Sequence, residues 1–219
     1  MEDRTNQVII LSGGEPLTSF ENVALPNGAR VIAADSGLHH AEDLNLTVDL
    51  VIGDMDSVDA GRLAAAVEHG AQTEVFPSDK DRTDLELAVD VALRWGTSRI
   101  VFVGAHTGRL DHFLGAMGMF ATLAERVDDL VWIDGSTWIT ACAPGRPATL
   151  DARPDDVVSL IPTGTDVEGV TTAGLRWALD HESLAAGSTR GVSNVCQTSP
   201  VVVSVERGTL LIVHERTTP

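Results

Sequence analysis

VDLVIGDMDS, residues 48–57, begins as a compact apolar run and ends in two carboxylates. Asp49-Leu50-Val51-Ile52, bounded by Gly53, predicts a short strand buried on both faces, as the strands of a parallel sheet are. Gly53 permits a tight turn, and Asp54 and Asp56, on either side of Met55, point the same way if the segment stays extended. A carboxylate pair at the C-terminal end of a strand lies where open α/β sheets bind ligands. Hard oxygen donors suit Mg²⁺ held against phosphates. The plainer alternative is a polar turn in which Asp54 caps the following helix, SVDAGRLAAAVEHG.

Outward from this stretch the same pattern of apolar run and polar turn recurs. QVIILS, residues 7–12, predicts a buried strand followed by Gly13-Gly14-Glu15-Pro16, the start of a phosphate-binding turn that completes neither GxGxxG nor GxxxxGK[ST]. Residues 30–34 predict a second strand that ends at Asp35-Ser36-Gly37, with Asp35 as cap of a short helix on which His39 and His40 face solvent. Residues 58–69 predict a helix closed by Gly70, and residues 73–76 a strand. Ser78-Asp79-Lys80-Asp81-Arg82-Thr83-Asp84 then precedes LELAVDVALRWG, whose Leu85, Ala88, Ala92 and Trp95 recur at helical spacing. Thr83 and Glu86 form a capping box, which makes Asp84 the first helical residue. So dense a charge cluster at a strand-to-helix turn suits magnesium and polyphosphate. RIVFV, residues 99–103, predicts a strand that opens onto a glycine-flanked turn. There Arg109 offers a planar fork for phosphate, and Asp111 and His112 lead into a helix over residues 113–127. Residues 130–134 add one more strand.

From about Trp138 helical periodicity gives way to short strand-like runs, WITAC, VVSLIP, VEGVTT, VVVSVE and TLLIVHE, separated by Gly, Pro, Asp and Ser turns. The expected architecture is an α/β domain with a mainly parallel, Rossmann-like sheet over residues 1–137, followed by a smaller all-β sandwich over residues 138–219. Gly191-Val192-Ser193-Asn194 reads as a polar turn of the second domain, and Trp177 in GLRWAL as packing against its sheet.

The chain has 219 residues, 43% of them hydrophobic, enough to bury a full core. Its net charge of −17 repels a nucleic-acid backbone, and no apolar run approaches a membrane span. Cys142 and Cys196 match no metal spacing and the amino terminus carries no signal-like segment, so a cytoplasmic protein is expected. Fourteen of the 15 basic residues are Arg, so any step that needs a lysine must use Lys80.

Taken together, ADSGL (34–38), DLVIGDMDSV (49–58), DKDRTDLELAV (79–89), GRLDH (108–112), VSLIPTG, GLRWAL and GVSN resemble the thiamine pyrophosphokinase family, in that family's order and over most of the chain. The resemblance implies a homodimer that transfers pyrophosphate from Mg·ATP to the thiamine hydroxyl and releases AMP. It assigns Asp54, Asp56 and Asp84 to magnesium. It sets Asp35, Ser36, Gly37, Ser57, Asp81, Thr83, Arg109, Asp111 and His112 at the nucleotide and phosphates, and Ser193, Asn194 and Trp177 at thiamine, with Asn194 ahead of Trp177. Asp54, Asp56, Asp81, Asp84 and Lys80 form the catalytic set, Lys80 and Arg109 being its cations. Thr107 stands where the family has glycine, and His39-His40 replace small and amide residues. Three other readings remain open on the residues alone: a pyrophosphokinase for another hydroxymethyl heterocycle such as a pterin, a haloacid-dehalogenase-type phosphatase, and a non-catalytic thiamine diphosphate sensor.

Overall fold

The computed structural model describes residues 6–14, 25–104 and 109–216. Glu15-Pro16 of the first glycine turn, and Thr107 and Gly108 of the later one, lie outside the described residues. The chain divides into two compact units. One runs to Ala116 and resumes over Trp132–Gly135, and the other comprises Met117–Val131 and everything from Ser136 onward.

The first unit is built on β1 (Gln7–Leu11), β2 (Arg30–Ala34), β3 (Leu50–Gly53), β4 (Gln72–Val75), β5 (Arg99–Val103) and the second half of β6 (Asp129–Asp134), in the order β4-β3-β2-β1-β5-β6. β4, β3, β2, β1 and β5 are parallel. Continuous burial explains why: Val8, Ile9, Ile10 and Leu11 are at most 1% exposed, as are Val101, Phe102 and Val103. Each such side chain contributes about 1.5–3 kcal/mol when fully buried. The chain steps outward from β1 to β4 and then returns to the other flank of β1 as β5, so the strand order reverses beside β1. Ligands of open α/β sheets bind at such a reversal.

Four helices, α1 (Leu38–Asp43), α2 (Ala60–Glu68), α3 (Asp84–Arg94) and α4 (Leu110–Leu123), follow strands. α3 starts as its capping box predicts: the Glu86 amide donates to Thr83 Oγ1 at 3.2 Å. It buries Leu87, Ala88, Val89, Val91 and Ala92. Its end is tied to β2 by Arg30, whose guanidinium lies 3.9 Å from the centre of the Trp95 ring and donates to the Trp95 carbonyl at 3.2 Å. The capping readings, an alternative for Asp54 and an expectation for Asp35, are corrected. α2 is capped by Asp59, which accepts from the Arg62 amide at 2.9 Å, so Asp54 is free of that role. Asp35 opens a 3-10 turn without capping it, and Asp111 lies inside the first turn of α4.

The second unit orders β7 (Thr137–Cys142), β8 (Ala148–Leu150), β9 (Val157–Ala173), β12 (Val201–Ser204) and β13 (Arg207–Glu215) as β7-β13-β9-β12-β8, with β10 (Glu182–Leu184) and β11 (Asn194–Val195) also on β9. Here the expectation of two separate runs, VVSLIP and VEGVTT, is overturned: both belong to the 17-residue β9. Gly164 at φ 74° and a register shift against β13 bend the strand instead of ending it. Its first part pairs with β13 and β11, and its last residues with β12. Beneath it His214 Nε2 lies 2.8 Å from Asp156 Oδ2, both residues at most 2% exposed. Among the described residues no helix is long and apolar enough to cross a membrane.

The placing of His40 on the surface is also corrected, while His39 is half-buried. α1 packs on β1, β2 and α2, which leaves His40 0% exposed with neither ring nitrogen hydrogen-bonded, its ring centre 3.9 Å from that of His39. Burial, reinforced by His39 and opposed by Asp43, lowers the His40 pKa from 6.5 to about 4. Between these values unfolding takes up a proton, so stability falls as the pH is lowered. Across that interval the loss from His40 is roughly 3 kcal/mol. Urea unfolding at pH 7 and pH 4 should therefore show wild type losing roughly this much more than His40→Leu; parallel losses would contradict the depressed pKa.

Candidate functional site

The C-terminal ends of β1, β2 and β3, with the starts of α3 and α4, open onto a cavity of about 810 Å³ in the first unit. Backbones approach closely on its floor. A Cβ on Gly37 would meet the Leu11 carbonyl oxygen at 2.2 Å, so the turn after β2 can lie on the end of β1 only with glycine there. Gly53, at φ 152°, does the same for the acids: a Cβ would lie 3.1 Å from both Asp35 Cβ and Asp84 Oδ1.

Around Gly53 the ends of β2 and β3 and the first turn of α3 bring Asp35, Asp54 and Asp84 together, with one carboxylate oxygen from each within 4.8 Å of the others. Like charges that close repel by roughly 3.5 kcal/mol per pair at an effective dielectric of about 20. The site answers this repulsion in part through Lys80, whose Nζ lies 3.1 Å from Asp84 Oδ1 and 3.6 Å from Asp54 Oδ2. Burial, seconded by the charges of Asp84, Asp54 and Asp56, raises the Asp35 pKa, against the pull of the Ser36 amide. The Asp56 amide lowers the Asp54 pKa most strongly, with Ser78 and Lys80 adding to it against some desolvation. Burial opposes the charge on Lys80, yet Asp84 and Asp54 hold its pKa above the ordinary lysine value.

The condition for Asp54 and Asp56 to point the same way, an extended DMD segment, is not met. Met55 adopts φ 66°, which folds the Asp56 amide back onto Asp54 Oδ1 at 3.2 Å. Asp56 stays beside Asp54 and lines the cavity, its carboxylate accepting from the Ser57 hydroxyl at 2.8 Å, but the three acids that converge within 4.8 Å are Asp35, Asp54 and Asp84. Asp35 itself is held at φ 47°, a second left-handed residue at the cluster. Such backbone costs of order 1 kcal/mol or more and persists only where the surroundings impose it.

The other candidates line the same cavity with different degrees of engagement. Ser36, Ser57, Asp81, Thr83, Arg109 and His112 all border it. The Asp81 side chain is 98% exposed. Arg109 donates to both Asp111 oxygens, at 3.2 and 2.6 Å, which draws the Asp111 pKa down to about 2 and raises that of Arg109. Arg82 is committed to Asp90 at 2.6 Å, which leaves Lys80 as the cation nearest the acids. Sequence reasoning missed Trp132 and Phe113 as an aromatic wall: Trp132 stacks on Phe102 at 5.1 Å, meets Phe113 edge-on at 6.4 Å, and donates its indole N–H to the Gly104 carbonyl at 2.9 Å. It missed Ser78 as well, though that residue directly precedes the charged cluster.

In the second unit the expected packing of Trp177 against the sheet is corrected. Leu175 and Leu179 are buried while Trp177, between them, is 57% exposed, so the indole does not pack on the sheet. Asn194 is buried at 6% exposure. Its Oδ1 accepts from the amides of Trp177 and Val195 at 3.1 and 2.8 Å, and its Nδ2 donates to the Trp177 carbonyl at 2.8 Å. The side-chain amide thereby fixes the backbone that presents the indole. Ser193, at φ 60°, donates its amide to Ser159 Oγ at 3.0 Å.

Residues 24–130 match the family model for the thiamin pyrophosphokinase catalytic domain, and residues 148–210 match that for its vitamin B1 binding domain. Thiamine pyrophosphokinase of Bacillus subtilis is 28% identical over 186 residues, which cover 84% of this chain and 86% of that protein. The crystal structure of thiamine pyrophosphokinase from the same species superposes with a TM-score of 0.84 at 24% identity, covering 97% of this chain and all of that one. That from Geobacillus thermodenitrificans gives 0.78 at 26% identity, over 96% and 98% of the two chains. With an acid trio at the sheet reversal of the first unit and both domain models matched in order, the chain belongs to the thiamin pyrophosphokinase family.

Proposed function

We propose that this chain is a thiamine pyrophosphokinase, which moves the pyrophosphoryl group of ATP to the hydroxyl of thiamine and yields thiamine diphosphate and AMP. The observation that carries the reading is the convergence of Asp35, Asp54, Asp84 and Lys80 on one cavity at the reversal of a parallel, Rossmann-like sheet. Hard carboxylate oxygens, one of them the buried Asp35 Oδ1 without a hydrogen-bond partner, fit Mg²⁺. Asp54 and Asp84 would hold it, with Asp35 or Asp56 completing the set, and a cation held there would supply positive charge to offset the charge that develops during transfer. Lys80 and Arg109 bind the polyphosphate, and the aromatic wall of Phe113 and Trp132 shields one side of the cavity from water. Transfer between phosphate and alcohol is mostly positioning and charge neutralisation, and these are the properties such residues supply.

Thiamine carries an aromatic cation, and the exposed Trp177 indole, held by Asn194, suits it: such stacking contributes up to about 2 kcal/mol when desolvated. We infer that the second unit, a β-sandwich in this reading, receives thiamine through Trp177, Ser193 and Asn194, and that the working enzyme is a homodimer. The buried free thiols of Cys142 and Cys196 suit a reducing cytoplasm. Coupled detection of AMP from ATP, with and without thiamine, tests the activity directly; no thiamine-dependent AMP would refute it.

Asp54→Asn and Asp84→Asn should each lower kcat by at least about 100-fold with little change in melting temperature, because each removes a ligand charge at a strand or helix end. Asp56→Asn should cost less, since its carboxylate stands outside the trio. Equal losses in all three would favour the Asp56 assignment. Trp177→Ala should raise KM for thiamine about tenfold and leave that for ATP unchanged. Asn194→Ala should do the same and also lower stability by about 1–3 kcal/mol, through buried Trp177 backbone groups left unpaired. Light scattering should give twice the chain mass of 23.2 kDa. If Asp54 and Asn194 serve one site from different subunits, mixing Asp54→Asn with Asn194→Ala chains restores part of the activity; full activity in a monomer would exclude the dimeric site.

A further inference from the structure

Lys80 is the only lysine of the chain, and its ammonium stands where a metal would be expected to sit. Its Nζ lies between Asp84 Oδ1 at 3.1 Å and Asp54 Oδ2 at 3.6 Å and donates to the Pro77 carbonyl at 3.3 Å, with 13% of the side chain exposed. A magnesium ion bound at about 2.0–2.1 Å to the same oxygens needs the volume and the lone pairs that this ammonium occupies. Cation and ammonium would also repel each other at that distance. The lysine belongs to the turn ahead of the Thr83 cap, four residues before Asp84, and its flexible stem lets the head move without moving α3. Among the described residues no other cation is paired with these oxygens, and the neighbouring Arg82 guanidinium is bound to Asp90 at 2.6 Å.

We propose that Lys80 is an internal plug of the metal site. Without nucleotide its ammonium takes the place of the metal between Asp54 and Asp84. When a polyphosphate arrives, its oxygens outcompete the carboxylates for the lysine, the head swings onto the phosphates, and the vacated oxygens accept the metal that the nucleotide brings. One side chain then does two jobs in sequence: it neutralises the acid cluster of the free enzyme and afterwards binds the phosphates. Metal loading is thereby tied to nucleotide binding, and the free enzyme keeps a low affinity for divalent ions despite three converging carboxylates. The inference rests on the reading of Asp54 and Asp84 as metal ligands.

Mn²⁺ binding to the nucleotide-free protein, followed by the paramagnetic resonance signal of the free ion, tests both. Lys80→Met and Lys80→Gln should each bind Mn²⁺ at least tenfold more tightly than wild type, and each should bind a non-hydrolysable ATP analogue with Mg²⁺ more weakly. Arg82→Gln, which removes a charge two residues away, should change Mn²⁺ affinity by less than threefold. Asp54→Asn added to Lys80→Met should abolish the gain. The plug is overturned if the Lys80 variants bind Mn²⁺ no more tightly than wild type, or if Arg82→Gln tightens binding as much. If Mn²⁺ binding is indifferent to Asp54→Asn in every background, the metal-site reading fails first and the plug falls with it. Thermal unfolding of each variant confirms that the folded protein is being measured.

Discussion

Mutual repulsion among Asp35, Asp54 and Asp84 is the constraint to which the first unit is fitted. Three carboxylate oxygens within 4.8 Å do not assemble spontaneously. They are brought there by the backbone: a glycine at φ 152° at the end of β3, where a Cβ would crowd two of the acids, a left-handed Asp35 after β2, and a capped helix whose first residue is Asp84. The energy for this comes from elsewhere, from strands whose side chains are almost wholly excluded from water and from the Arg30–Trp95 tie that anchors α3. A stable sheet thus supports a locally unfavourable arrangement of charge, the usual relation between a rigid scaffold and a reactive site.

Much of this was legible in the sequence, for identifiable reasons. β2 and β5 match their expected residues because a continuous apolar run bounded by polar turns leaves little freedom, and the start of α3 followed from the Thr83–Glu86 pair. What escaped were conformations that spacing does not encode. An aspartate pair two residues apart shares a side only in extended chain, and Met55 at φ 66° breaks that premise. Asp35 lies nearly 20 residues before Asp54 and joins it only through the pairing of β2 with β3. The burial of His40 depends on what α1 packs against, and no local pattern reports that.

Trp177 and Asn194 teach a related lesson. An aromatic residue flanked by leucines invites a core assignment, and an amide in a polar turn invites a binding role. The structure exchanges their burial, because an amide side chain carries both a donor and an acceptor and satisfies both backbone groups of a neighbour whose ring is exposed. Polar residues near a binding surface often act one step removed from the ligand, through the backbone they hold.

β9 has a consequence for how the second unit comes apart. One unbroken strand is shared by the ladder with β13 and the ladder with β12, and His214 on β13 is bonded to Asp156 just ahead of β9. Neither ladder can fray without disturbing the strand common to both, so partial opening is penalised from two sides at once. Amide hydrogens on β9, β12 and β13 accordingly belong to one cooperative block that exchanges through a shared unfolding event, whereas the three-residue β10 at its flank is free to open by itself.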